Sequence, residues 1–480
     1  MVSLKKLKQI QWFKEKERDF DLFLESFYIE GTKQKYAKRM GTTAHSNHRM
    51  DFSDGSVFMD RKEIEDSKEI FLKQGKRLAA YAGRLTNNYL RFSQRFVLVQ
   101  KRYSNFEYRN LTNKKLATLY HQYIEAIHDL IPYSYVISNI LDETAHDLLV
   151  NALRRTLSNP ENTYLQLTRP ARPNMTSLEH LDRLKLAAKY QKVKSFVGLK
   201  ATIEGHVTKY GWLACYRPTD LPLSEKELKR AVQELAKDKQ LRSKIAQIRK
   251  QQASGIRPSI GKIGLPPHLG KLVKIMQQHS FLRTERREIV NRGFFVLQPL
   301  HHEIAKRMGI KFSDLSYGTT WELLRFLKTG QGITLGEIQQ RKEQFCVTKI
   351  NNAITIVSGK TVEHFKKLIP KAQSETAIRG IPVYAGVVTG TVQIVKTRND
   401  IAGFTKGSIL VAPTVATWMV SIIDKCSGII TDFGGSLSHT AILSREFKKP
   451  CLIGTRNATS VLRNGMTIVL NAHKGTANRL

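Results

Sequence analysis

Cysteine is scarce in this 480-residue chain: Cys215, Cys346, Cys426 and Cys451 stand apart, with no C-x-x-C pair and no metal-ligand spacing. That argues against a disulfide framework and against structural zinc. Long apolar runs are missing as well. The nearest, Ile409 to Ile423, is broken by Pro413 and several hydroxyl residues, short of the roughly 18 apolar residues a membrane helix needs, so no membrane partner is expected. The opening MVSLKKLKQIQW lacks the apolar core of a signal peptide, and a cytoplasmic protein is the expectation. Acidic residues are few, 41 Asp+Glu against 78 Lys+Arg, for a net charge of +37. Such an excess attracts nucleic acid, anionic lipid and phosphorylated ligands alike and names none of them. From Ala377 onward 12 basic residues face 4 acidic ones, in proportion to length, so the charge is not a basic tail. A generally basic surface is the plain reading and nucleic-acid contact the alternative.

What is present is the composition of a folded protein, 41% hydrophobic and 25% charged, with length for two to four domains. Up to residue 376 the pattern is helical. Ser224 and Glu227 form a capping box, and Leu228, Val232, Leu235, Leu241, Ile245 and Ile248 recur at helical spacing, which predicts one amphipathic helix over Leu223 to Lys250. Thr319 with Glu322 and Thr334 with Glu337 start two more helices, with Gly330, Gly332 and Gly336 as turn residues around them. Apolar periodicity also marks Ala117 to Ile131 and Leu282 to Met308. The region reads as two helical lobes, 1–175 and 176–376, divided near the Pro-rich TRPARPNM stretch.

After a polar connector around Lys371 to Arg379 the texture changes to short runs rich in Val and Ile: Tyr384 to Val395, Ser408 to Val411, Gly428 to Thr431, Cys451 to Ile453 and Thr467 to Leu470. These predict strands with tight connections, and so a compact, mostly β domain over 377–480.

The segment Gly428 to Thr455 carries chemistry. A buried strand runs into Gly434 and Gly435, then a hydroxyl-rich tip, Ser436 and Ser438, with His439 at the mouth of a helix that ends before Pro450. Paired glycines admit a bulky anion, and the first-turn N–H groups of a helix bind phosphate oxygens. Imidazole is a nucleophile at neutral pH and, once phosphorylated, a good leaving group. Ser436, Ser438 and Thr440 offer further donors and Arg445 a cation.

The string from Gly434 through His439 to Arg445 and Glu446, followed by Pro450 and a strand, resembles the G-G-x-x-S-H-A-A-I-x-A-R motif of the mobile domain of phosphoenolpyruvate-utilising enzymes, a family that includes phosphoenolpyruvate synthase, pyruvate phosphate dikinase and rifampin phosphotransferase. The run Gly380, Gly386, Gly390 and the closing Asn464-Gly465 and Gly475 extend the likeness over about 100 residues. The resemblance implies a swivelling β/β/α phosphohistidine domain in which His439 carries the phosphoryl group between a charging and a discharging site. Thr440 stands where the family has alanine, and Thr414-Val-Ala-Thr417-Trp418 lacks the family's prolines.

A second resemblance, to the region before the mobile domain in the synthase and rifampin branch, rests on His206 to Trp212, LRTERRE at Leu282 to Glu288, and Glu322 through Ile338 to Arg341. It implies acceptor-site roles for His206, Trp212, Arg283 and Glu288. The family's ATP-grasp module and pyruvate barrel have no counterpart in the sequence, which implies a split enzyme: ATP with Mg2+ on a separate ATP-grasp protein, and a small-molecule acceptor on this chain. A non-catalytic scaffold binding RNA or DNA, and a carrier charged from phosphoenolpyruvate, are the alternatives. Gly264 to Lys271 fails as a phosphate loop, with one residue too many and Leu272 where Ser or Thr must hold magnesium. His45 and His48 show no carboxylate partner, His301, His302 and Glu303 form no metalloprotease motif, and no metal site is expected.

Overall fold

Two stretches almost three hundred residues apart in sequence meet in one antiparallel sheet of order β1-β3-β2-β4-β5: β1 Trp12–Glu17, β2 His48–Phe52, β3 Ser56–Asp60, β4 Phe345–Ile350 and β5 Ala353–Ser358. The computed structural model describes residues 7–17, 20–104, 106–136, 140–157, 160–170, 172–253, 263–369, 378–416, 419–435 and 438–480. The alternation of β4 shows how the sheet is held. Phe345 and Val347 pack with Leu22 and Ile29 on one face, while Cys346 and Ile350 join Trp12, Met50 and Phe58 on the other. The helical reading of this region contains none of these strands, because charged residues interrupt their apolar pattern. Buried Arg49 in β2 binds Asp51 and Glu25, and Lys349 in β4 donates to Thr32 O, Thr32 Oγ1 and Ser46 O at 2.9, 3.0 and 2.6 Å. Partners of this kind are what buried polar groups require. The β4–β5 hairpin turns at Asn351-Asn352, with Asn351 at φ 54°, a conformation that asparagine tolerates better than most residues.

Helices make up most of the remainder before residue 370. The large core joins α1 (Leu22–Gly31), α2 (Leu78–Tyr103), α3 (Asn113–His128) and a 42-residue helix, Pro267–Met308, through Phe27, Tyr89, Phe96, Tyr123, Met276 and Phe294. Between α3 and the long helix the chain leaves this core for a smaller cluster built by α4 (Met175–Val193), α5 (Lys200–Tyr210), α6 (Glu225–Leu235) and α7 (Leu241–Ala253); the long helix is α8. The predicted stripe is there, with Leu228, Val232, Leu241 and Ile245 buried, and so is the Ser224–Glu227 capping box. The single expected helix is two. Asp238 accepts the Gln240 N–H at 2.8 Å in the turn between them, the local competition that makes Asp a helix breaker. Thr319 and Thr334 also head capping boxes, on α9 (Thr320–Thr329) and α10 (Leu335–Glu343). Among the described residues no helix is long and apolar enough to cross a membrane.

The remaining strands form an eight-stranded sheet of order β6-β13-β12-β8-β9-β10-β11-β7, comprising β6 Ile378–Arg379, β7 Ile381–Tyr384, β8 Val387–Ile394, β9 Ile409–Ala412, β10 Gly428–Thr431, β11 Cys451–Ile453, β12 Thr467–Asn471 and β13 Thr476–Arg479. The inner strands β8 to β11 run parallel and are covered on both faces, as parallel sheets are. Leu410, Ile429 and Ile453 pack on one side, and Ile409, Ile430 and Leu452 on the other. The predicted run Tyr384 to Val395 divides at Gly386, so β7 pairs with β11 at the edge while β8 lies between β12 and β9.

Candidate functional site

β10 ends at Thr431, and the chain turns through Asp432, Phe433, Gly434 and Gly435 into α11, His439–Glu446. Gly434 has φ +137°, and a Cβ there would stand 3.0 Å from Ser438 Oγ, so only glycine fits this corner. Ser438 is the N-cap: its Oγ accepts the Ala441 N–H at 3.2 Å, and its own N–H donates to Gly435 O at 2.8 Å. The first-turn N–H groups of His439 and Thr440 are therefore left pointing out of the helix mouth. Ser436 and the His439 side chain lie outside the described residues. Asp432 locks the turn from below. Its buried carboxylate accepts from Thr455 Oγ1 at 3.1 Å and from Thr459 N–H and Oγ1, and burial holds its pKa above the usual carboxylate value.

This mouth opens on a cavity of about 880 Å³ walled by several distant segments of the chain. Gly434, Gly435, Ser438 and Thr440 line it from the C-terminal sheet domain, Lys14 and Glu17 from β1, and Arg283, Thr284, Arg286 and Arg287 from α8. Lys396 and Glu17 pair across the gap at 3.3 Å, and Lys14 lies 5.8 Å over the Phe433 ring. Farther out, Ser177 Oγ donates to Glu446 at 3.2 Å and the rings of His180 and Phe447 meet at 4.6 Å. Asp424 is 4.0 Å from Lys244.

The residues named from sequence are only partly brought together. Arg283 lines the cavity and pairs with Asp142; burial, and then the charge of Arg286, pull its pKa down to about 10. His206 lies instead on α5 of the small helical cluster, and Trp212 in the short turn just after it, with Arg292 of α8 over its ring. His206 Nε2 is 3.0 Å from Glu179, and the Trp212 indole donates to Lys209 O. Glu288 is turned to the first turn of α4, accepting the Thr176 N–H at 2.7 Å and its hydroxyl at 2.8 Å, so it serves as an anchor for that helix. None of these three is among the cavity-lining residues. Thr440 is buried and its Oγ1 accepts the Val415 N–H at 3.1 Å, fastening the neighbouring loop rather than standing free for a ligand. Arg445 does not line the cavity; burial lowers its pKa to about 10, beside the charge of Arg169. Sequence reasoning passed over Arg286 and Arg287, although LRTERRE contains them, and the aromatic residues Phe20, Tyr28 and Tyr216 beside them.

One cluster has metal-ligand composition. His48 Nδ1 lies 3.1 Å from Asp60 and 2.9 Å from Glu63, so His48 does have carboxylate partners, brought to it by β2–β3 pairing. The Glu63 hydrogen bond raises the imidazole pKa. A nitrogen donor with two carboxylates does not suit magnesium, which prefers an all-oxygen octahedron, and none of the three lines the cavity.

Residues 404–475 match the family profile of the PEP-utilising enzyme mobile domain. Over 102 residues the chain is 38% identical to an uncharacterised phosphotransferase of Bacillus subtilis, a stretch covering 21% of this chain and 12% of that protein. A probable phosphoenolpyruvate synthase of Archaeoglobus fulgidus is 30% identical over 122 residues, 25% of this chain and 16% of that one. The phosphoenolpyruvate synthase of Pyrococcus furiosus is 25% identical over 179 residues, 36% and 22% of the two chains. This chain thus spans less than a quarter of the length of these relatives. A solved chain of aconitase X (holo-form) from Thermococcus kodakaraensis aligns with 22% of this chain and 98% of its own, at 16% identity and a TM-score of 0.18, too low to bear on the fold. The segment that holds the Gly434 turn and the capped helix of His439 is thus similar to the mobile domain of the PEP-utilising enzymes.

Proposed function

We propose that this chain is the acceptor-binding component of a phosphotransferase in which His439 is transiently phosphorylated. The observation that carries the reading is that a glycine turn and a serine-capped helix mouth, the elements that cradle a phosphoryl group, open on a cavity walled by the helical region. In the charging step a ring nitrogen of His439 attacks the donor's phosphorus, an N–P bond forms and the donor's P–O bond breaks. In the second step an acceptor hydroxyl oxygen attacks the same phosphorus, the N–P bond breaks, and the acceptor's proton leaves to the imidazole or to water. The donor is ATP, held with Mg2+ on a separate ATP-grasp protein.

Movement between the two sites is the property that the junction supports. Its polar contacts include the Glu17–Lys396, Ser177–Glu446 and Lys244–Asp424 pairs; partly exposed pairs of this kind contribute roughly 0–1 kcal/mol each, so these pairs do little to oppose undocking. The test is donor identity. The purified chain in matched cell extract is given ATP labelled at the β or the γ phosphorus, or labelled phosphoenolpyruvate. Label arriving from ATP supports the reading, arrival from phosphoenolpyruvate alone replaces the donor, and no acid-labile label from any of them removes it.

A further inference from the structure

Several of the charges around the cavity are paired. Arg283 pairs with Asp142, Lys68 with Glu143, and Lys14 and Lys396 share Glu17. Arg286 has no such partner. It is 9% exposed, it lines the cavity, and its buried Nη1 meets no hydrogen-bond acceptor among the described residues. Its charged neighbour on α8, Arg287, lies 4.2 Å over the Tyr216 ring and 5.7 Å over Phe20, held by aromatic faces and, among the described residues, by no carboxylate. Desolvation pulls the Arg286 pKa down, the mark of a cation kept without compensation. Burying an unpaired charge is among the costliest things a fold can do. A planar guanidinium presents five N–H donors in a fork that matches a phosphate or a carboxylate. The space beside it, about 880 Å³, is within the range of small-molecule sites, roughly 300–1,000 Å³.

We infer that Arg286, with Arg287 beside it, anchors an oxyanion group, phosphate or carboxylate, on the acceptor molecule. Phe20, Tyr28 and Tyr216 offer flat apolar surface to the rest of that molecule. The inference rests on the reading that the cavity holds the acceptor, but it is tested without phosphoryl transfer.

The experiment is thermal unfolding of the full chain in inorganic phosphate, in succinate and in sodium chloride of matched ionic strength. A ligand that binds only the folded state raises the melting temperature with concentration. Phosphate, succinate or both should raise it beyond chloride, and which of them does so assigns the group. Arg286→Met, relieved of a buried unpaired charge, should melt at or above the wild type in chloride and lose the anion-dependent rise. Arg286→Lys, which keeps the charge without the fork, should show a rise at least tenfold weaker in midpoint concentration. His439→Ala should keep the full rise, so a failure to label His439 would remove the transfer reading and leave this site standing. Wild-type protein that neither anion stabilises beyond chloride overturns the inference, as does an Arg286→Met variant that keeps the rise or melts well below the wild type.

Discussion

Gly434 and Gly435 are adjacent, yet alanine should be nearly harmless at one and damaging at the other. At Gly434 the backbone sits at φ +137°, a region open essentially to glycine alone, and forcing another residue into it costs of the order of 1–3 kcal/mol. The new Cβ would also lie 3.0 Å from Ser438 Oγ and 3.3 Å from Ser438 Cβ. Ser438 must shift to admit it, and its Oγ is the acceptor that caps the Ala441 N–H. Loss of an N-cap costs about 1 kcal/mol, so Gly434→Ala should destabilise the domain by roughly 2–4 kcal/mol. A Cβ at Gly435 meets nothing within 4 Å, and its φ lies outside the positive region, so Gly435→Ala should stay within about 0.5 kcal/mol of the wild type. Urea unfolding read with hydrogen exchange of α11 measures both. Equal effects from the two alanines, or a Gly434→Ala variant as stable as the wild type, would refute the geometry of the turn.

Arg341 donates to both carboxylate oxygens of buried Glu322, at 2.9 and 2.7 Å; Arg341→Met strands that carboxylate and should lose about 3–5 kcal/mol in urea unfolding, and a loss under 1 kcal/mol would contradict the pairing. Gly293 faces Phe96 and Tyr123 so closely that a Cβ would come within 2.8 Å of each. Gly293→Ala should therefore destabilise by roughly 1–3 kcal/mol where an open helix position would gain up to about 1 kcal/mol, and a higher melting temperature would show that the contact is absent. His48 has its folded pKa raised above the ordinary 6.5, first by the Glu63 hydrogen bond. The stability it contributes is thus complete below pH 6.5 and lost as pH rises through the folded value. The melting-temperature gap between wild type and His48→Asn should be widest in acid and close toward alkaline pH; a gap that widens with pH would reverse the assignment.

The C-terminal sheet was legible because its inner strands are buried on both faces and read as unbroken apolar runs, with glycines at the corners. Gly428 to Thr431 and Cys451 to Ile453 fall where those runs predict them. The first sheet was hidden by Arg49, Asp51 and Lys349, polar residues placed inside strands: Arg49 pairs with Asp51 in its own strand and with distant Glu25, and Lys349 is satisfied by Thr32 and Ser46 from distant segments. Local start signals held at Ser224, Thr319 and Thr334, since a capping box is complete within four residues. The cavity could not be read in the same way. The LRTERRE string drew attention to the correct turn of α8, but which of its side chains faces the glycine turn depends on how that helix packs. His206, Trp212 and Glu288 have partners within the helical region, while Arg286 and Arg287 have none with opposite charge among the described residues.

The most direct test of the account is the site of phosphorylation itself. Wild-type protein and His439→Ala are charged side by side in extract, and the peptides spanning Gly428 to Thr455 are read by mass spectrometry at alkaline pH. One acid-labile phosphoryl group is expected on His439 in the wild type and none anywhere in the variant. Acid-stable phosphate on Ser438 or Thr440, or an unchanged label in His439→Ala, would contradict it.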